Sequence, residues 1–194
     1  MTPVELAAFL TELEAFGLAN DQAQSDRSKK MLNLERETAQ LVRVLIRATR
    51  ARNILEIGTS NGFGTIWLAD AVGPNGRVTT MDRSKEKVEQ ARKNIFRAGL
   101  LDRVDLRVGE ATEIVAQLDG AFDLVLFDAD RITAPEQLRI LLPRLTPSAL
   151  VLADNALSHP DEIAAYLAEI GSIPEFEHTI ISVGKGLSIA FRKA

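Results

Sequence analysis

The chain holds no cysteine, and only two histidines, one tryptophan and one tyrosine occur among its 194 residues. Without cysteine there is no disulfide, thiolate metal site, iron–sulfur cluster or cysteine nucleophile. Two histidines are too few for a multi-histidine zinc centre. No apolar run approaches the ~20 residues needed to span a bilayer. The opening Met1-Thr2-Pro3-Val4-Glu5 lacks the basic and apolar regions of a secretory signal. A cytoplasmic protein that crosses no membrane is therefore expected. An excess of basic charge is missing too. The 23 Lys and Arg against 27 Asp and Glu give a net charge of −4, unlike the basic surface that a nucleic-acid backbone requires.

What is present is ordinary globular composition, 46% apolar and 26% charged. At roughly 150 residues per domain the length predicts one domain over residues 1–194. N-terminal helices are expected in 1–52 and a core in 53–194. Thr2 and Glu5 have capping-box spacing with Pro3 between them. Leu6, Phe9, Leu10, Leu13 and Phe16 then recur at helical spacing to about Leu18. Gly17 to Lys30 is polar and without period, which reads as a linker or mobile flap, most simply a solvated one. A second helix is expected from about Leu32 to Ala51.

From residue 53 strands alternate with helices. Strands are expected at Asn53–Ile57, Val78–Met81, Val104–Val108, Leu124–Phe127 and Leu150–Ala153, the central ones short and apolar. Strands apolar throughout suit a parallel sheet buried on both faces. Helices are expected between them, with capping signatures at Thr133/Glu136 and Ser158/Asp161. Two final strands, Phe176–Val183 and Leu187–Arg192, flank Gly184-Lys185-Gly186 without a helix between them. The pattern predicts a Rossmann-like, doubly wound, mostly parallel seven-stranded α/β sheet with an antiparallel C-terminal hairpin at its edge.

Such sheets bind ligands beyond the carboxyl ends of their strands. After the first strand comes Glu56-Ile57-Gly58-Thr59-Ser60-Asn61-Gly62-Phe63-Gly64. Glycines there allow close backbone approach, and the following helix offers free N–H groups. The second strand ends at Asp82, whose carboxylate can accept both hydroxyls of a ribose. Glycines at 58, 62 and 64 do not fit the dinucleotide fingerprint G-x-G-x-x-G, and no phosphate loop is present. The fourth and fifth strands run into Asp128-Ala129-Asp130-Arg131 and Asp154-Asn155. If these strands are neighbours, Asp128, Asp154 and Asn155 converge at one rim. Two carboxylates and an amide oxygen suit a hard cation such as Mg²⁺.

The glycine loop with its acid resembles motif I of S-adenosylmethionine-dependent methyltransferases. From about residue 53 to 192, F-D-L-V-L-F-D-A-D-R, L-A-D-N and G-L-S-I-A-F-R-K resemble the cation-dependent O-methyltransferases, the group of the catechol and caffeoyl-coenzyme A enzymes. The resemblance implies that Asp128, Asp154 and Asn155 hold a divalent cation, and that Glu56, Gly58, Ser60, Asp82 and Ala111 line the cofactor site. Thr59, Gly62, Gly64, Thr65, Arg83, Gly109, Glu110 and Asp128 complete the expected cofactor set, with Asp128 and Arg131 as the catalytic pair. The acceptor would be a small hydroxylated aromatic of catechol type. A homodimer with the N-terminal helices at its interface is implied as well.

Three features depart from the family pattern. Arg131 stands where the family has a lysine base, and an arginine cannot take a proton. It remains able to stabilise a phenolate or bind a substrate carboxylate. The run Ala156-Leu157-Ser158-His159 replaces a bulky aromatic after the Asp-Asn pair, which leaves His159 a candidate to face the site or a plain surface residue. Gly64 replaces a frequent serine, with Thr65 as a substitute hydroxyl. These departures keep two alternatives open: a metal-independent small-molecule methyltransferase, and a cofactor-binding protein without turnover.

Overall fold

The computed structural model describes residues 1–193. Helices α1 (Pro3–Ala23) and α2 (Arg36–Thr49) precede the sheet. Strands β1 (Asn53–Ile57), β2 (Arg77–Asp82), β3 (Val104–Val108), β4 (Phe122–Phe127) and β5 (Leu145–Ala153) follow, linked by α3 (Phe63–Val72), α4 (Lys85–Arg97), α5 (Ala111–Gln117) and α6 (Ala134–Leu141). Helix α7 (Pro160–Ser172) leads to the hairpin β6 (Phe176–Ile181) and β7 (Leu187–Arg192). The strand order is β3-β2-β1-β4-β5-β7-β6. β1 to β5 are parallel, and β7 runs antiparallel to both β5 and β6. The expected sheet, including its edge hairpin, is the one observed.

Alternation along each strand divides the core into two layers. Ile54, Leu124 and Leu152 face a cluster with Phe9, Val42, Ile46, Phe63 and Ile95. Their neighbours Leu55, Val125 and Val151 face Val115, Leu138, Ile163 and Tyr166. The N-terminal helices therefore share one core with the sheet. Trp67 is buried in the first layer and Tyr166 in the second.

Local differences from the sequence reading have identifiable causes. The Thr2–Glu5 capping box forms, with Glu5 N donating to Thr2 Oγ1 at 3.3 Å and Thr2 N to Glu5 Oε2 at 2.7 Å. The other two capping signatures do not. The Thr133 hydroxyl donates to Asp130 O, and α7 is preceded by His159 rather than Ser158, neither giving a side-chain cap. Phe16, counted on the apolar face of α1, is exposed; Gly17 is buried in its stead. Residues 17–30 are not a featureless flap. α1 continues to Ala23 and a 3₁₀ turn, Arg27–Lys29, follows behind an Asp26 cap. β5 begins at Leu145, five residues before the expected start, because Leu145 pairs with Phe122 ahead of a register shift.

Candidate active site

The strand order reverses beside β1, which has β2 on one side and β4 on the other. A cavity of about 890 Å³ opens there, beyond the carboxyl ends of the strands. Its floor is the loop after β1. Gly58 N and Thr59 N both donate to Met81 O at 3.0 Å, which turns the loop over β2. Gly58 has φ +113°, and a Cβ at this position would run into the carbonyl oxygen of Asp128. The loop after β1 thus lies against the loop after β4 in a way open only to glycine.

Ser60 takes the left-handed φ of +47°. Its N–H donates to Asp82 Oδ2 at 3.0 Å, while Asp82 Oδ1 accepts from Ser84 N at 2.9 Å. Two backbone donors fix the carboxylate of Asp82 at the cavity wall and leave it further lone pairs for a ligand. Gly109 N donates to Asp82 O at 3.1 Å and brings Gly109, Glu110 and Ala111 to the same wall. Glu110 caps nothing with its side chain.

Glu56 lies beneath this floor. Its Oε2 accepts from Thr65 Oγ1 at 2.5 Å and Thr80 Oγ1 at 2.7 Å, and Thr80 contacts Thr59 Oγ1 at 2.7 Å. Thr65 is therefore committed to Glu56 rather than to the cavity, and neither Thr65 nor Gly62 forms part of its wall. The missing serine at 64 has a steric counterpart, since a Cβ on Gly64 would lie 2.8 Å from Glu56 Oε1. Burial pushes the Glu56 carboxyl up to about 7, with the two threonine hydroxyls acting in the opposite sense.

A raised folded-state pKa means the fold prefers protonated Glu56. The associated stability is present below pH 4.5 and is lost as pH rises through about 7. Ionisation should cost about 3 kcal/mol in the ligand-free protein. Glu56→Gln should therefore give a shallower fall in melting temperature between pH 5 and pH 8 than the parent chain. An unchanged slope would contradict this assignment.

The opposite end of the cavity is the rim of β4 and β5. Their pairing places Phe127 beside Ala153. Asp128 N donates to Ile57 O at 2.9 Å and Asp154 N to Phe127 O at 3.0 Å. Asp128, Asp154 and Asn155 do converge on one cavity wall. Asn155 has φ +65°, a left-handed conformation that asparagine tolerates better than most residues. Its Nδ2 donates to Asp154 Oδ2 at 2.7 Å and its Oδ1 accepts from Ser158 Oγ at 3.2 Å. Asp154 Oδ1 is buried and has no hydrogen-bond partner among the described residues. Burial, then the charges of Asp154 and Glu56, hold the Asp128 carboxyl well above the usual range. Burial, with Glu35 adding to it, pushes Asp154 up to about 6.

Arg131 lines the same end. Its Nε and Nη2 both donate to Glu162 Oε2, at 3.0 and 2.6 Å. Asp130 is exposed and accepts from Ile132 N at 3.0 Å, so it braces its own turn. His159 lies in the wall with its Nδ1 2.8 Å from Ser158 Oγ.

Several wall residues were not legible in the sequence. The segment from Arg27 to Leu34 closes one side of the cavity. Met31 N donates to Asp21 Oδ1 at 2.6 Å and Leu32 N to Asp21 Oδ2 at 2.9 Å. Lys87 Nζ donates to Lys30 O at 2.6 Å, and the Ser60 hydroxyl donates to Met31 O. The polar end of α1 and the glycine loop thus hold this strap from both sides. Lys185 arrives from the hairpin tip, fixed because Leu157 N and Ser158 N donate to its carbonyl. The sequence signal for it was the Gly-Lys-Gly turn alone.

Sheet order, switch-point cavity and the carboxylate at the end of β2 define a Rossmann-like α/β protein with a nucleotide-type cleft. Comparison with known proteins narrows this. The family model described as O-methyltransferase matches residues 10–193. The chain is 33% identical over 144 residues to a catechol O-methyltransferase of Niastella koreensis, covering 72% of this chain and 65% of that protein. It is 41% identical over 115 residues to a catechol O-methyltransferase of Mycobacterium tuberculosis, covering 59% and 52%. The alignments thus span between half and two thirds of the length of these relatives. A solved O-methyltransferase from Bacillus cereus in complex with SAH superposes with a TM-score of 0.82 at 28% identity, over 96% of this chain and 91% of that one. The chain belongs to the O-methyltransferase family.

Proposed function

We propose that this chain is an S-adenosylmethionine-dependent O-methyltransferase acting on a small molecule with two adjacent oxygens, of catechol type, with a divalent cation at Asp128, Asp154 and Asn155. The observation that carries this reading is one continuous cavity, running from the Asp82 and glycine-loop wall to the Asp128–Asp154 rim. It is the right arrangement for a sulfonium donor at one end and an oxygen acceptor at the other.

Asp82 would take the ribose hydroxyls, and Gly109 to Ala111 would border the base. Gly58 and Ser60 shape the floor on which the donor would lie. The rim residues fit a hard cation by their own chemistry. They are oxygen donors on neighbouring strand ends, and one buried carboxylate oxygen has no partner. Among the described residues there is no group of three or more His, Cys, Asp or Glu arranged for a metal. The site would therefore rest on two carboxylates and an amide, with water and acceptor completing it. A cation there supplies positive charge that lowers the pKa of an acceptor hydroxyl.

The sulfonium methyl is already activated, so the protein must chiefly align acceptor oxygen, methyl carbon and sulfur. An O–CH₃ bond forms as the S–CH₃ bond breaks, and S-adenosylhomocysteine leaves as a neutral thioether. Arg131 cannot accept the hydroxyl proton, which would pass to solvent. Its fixed charge favours the anionic form of the acceptor.

The test is methyl transfer to vicinal aromatic diols and to their mono-ols, with Mg²⁺ and with chelator. Transfer to diols that chelator abolishes is the expected result. Chelator-resistant transfer would assign the metal-independent reading, and the Asp154–Asn155 pair would then be structural. Cofactor binding without transfer to any acceptor would assign the binding-protein reading.

A further inference from the structure

The acceptor end of the cavity brings cations from three separate elements beside the rim carboxylates. Arg131 comes from the loop after β4, Lys185 from the hairpin tip and Arg27 from the 3₁₀ turn, and all three line it. Three cations from separate elements thus stand beside the rim carboxylates, two of them paired with Glu162 and Glu35.

The state of Arg131 is the more specific observation. Its side chain is sunk into the wall at 11% exposure, whereas that of its partner Glu162 is 45% exposed. Both guanidinium donors converge on the single oxygen Glu162 Oε2. No bond from Arg131 Nη1, or to Glu162 Oε1, is present among the described residues. A guanidinium is built for two parallel bonds to the two oxygens of one carboxylate. Here a rigid fork meets only one oxygen of an exposed carboxylate. Lys185 is likewise held by a partly exposed partner, Glu35 Oε1 at 3.0 Å.

We infer that the acceptor bears a carboxylate of its own, which docks on the Arg131 fork, displaces Glu162 and is flanked by Lys185 and Arg27. The substrate class is then a vicinally dihydroxylated aromatic acid, of dihydroxybenzoate type, rather than a neutral catechol. This rests on the methyl-transfer reading above. It gives Arg131 a role that its inability to act as a base leaves open.

The experiment compares 3,4-dihydroxybenzoate with its methyl ester, which keeps both hydroxyls and removes only the charge. Binding to protein loaded with S-adenosylhomocysteine and Mg²⁺ is measured by calorimetry, and methyl transfer in parallel. A bidentate charged contact predicts a ~10–100-fold preference for the acid in both Kd and kcat/KM. Arg131→Gln should collapse that acid-to-ester ratio towards one. Glu162→Gln, which removes the competing carboxylate, should raise it. Arg131→Lys keeps the charge without the fork, and should retain only part of the preference if Arg131→Gln folds poorly. Equal use of acid and ester by the parent chain overturns the inference while leaving the methyl-transfer reading intact. So does an acid preference that Arg131 and Glu162 substitutions leave unmoved. Acid binding that depends on Arg131, with no transfer to either compound, instead overturns methyl transfer and leaves the anion site standing.

Discussion

Asp154→Ala should lower methyl transfer about 10³-fold, because the charge stabilisation supplied by a bound cation is worth several kcal/mol. The same substitution should leave affinity for S-adenosylhomocysteine within about threefold, as expected for spatially separate sites. A second consequence separates this from generalised damage. In the cation-free protein Asp154 is a buried carboxylate with one unpartnered oxygen, held up to about 6 by burial. Removing it relieves a desolvated charge, so the variant should melt no lower, and at pH 8 higher, than the parent chain without metal. The pair of measurements is decisive: inactive and unstable would mark a structural cap, whereas inactive and as stable or more stable marks a ligand site kept at the expense of stability.

Gly58→Ala should cost about 2–5 kcal/mol, from a left-handed backbone forced on a non-glycine residue together with overpacking. For a chain of this size that is a melting temperature lower by about 5–20 °C. The new methyl group meets the Asp128 carbonyl, a backbone atom that cannot rotate away. Relief therefore requires the cofactor loop and the Asp128 loop to separate. Any variant protein that folds should bind both S-adenosylhomocysteine and cation more weakly. A melting temperature within a degree of the parent would contradict the close approach of the two loops. The two substitutions thus test the cavity from both ends: Asp154 bears on the rim alone, and Gly58 on the junction between rim and floor.

Much of this architecture was legible because the relevant signals are local. Strands such as Leu124–Phe127 and Leu150–Ala153 are apolar at every position, as burial on both faces requires. The site residues at their ends follow directly once β4 and β5 are neighbours. Asp82, Asp128, Asp154 and Asn155 all lie where the strand pattern placed them. Tertiary demands overrode local signals elsewhere. Thr65 looked available to a ligand, but its hydroxyl is taken by the buried Glu56. Thr133 and Ser158 have capping spacing, yet their hydroxyls bond within their own loops. The last turns of α1 are too polar to show helical period, because Asn20 and Asp21 are occupied with the backbone of Met31 and Leu32. Ser148, at φ +66° within β5, interrupts the apolar run and hid that strand's true start. Arg27, Lys185 and Glu162 lie far apart in the chain and meet only in the folded cavity, so no spacing rule could group them.

The central claim is that the strand-end trio binds a cation beside the cofactor. Calorimetric titration of Mg²⁺ into protein saturated with S-adenosylhomocysteine tests it most directly, with Asp154→Ala and Asn155→Ala in parallel. Saturable cation binding in the parent chain, abolished by Asp154→Ala and weakened by Asn155→Ala, is the predicted result. Saturable cofactor binding with no cation binding, or cation binding indifferent to both substitutions, would contradict the account.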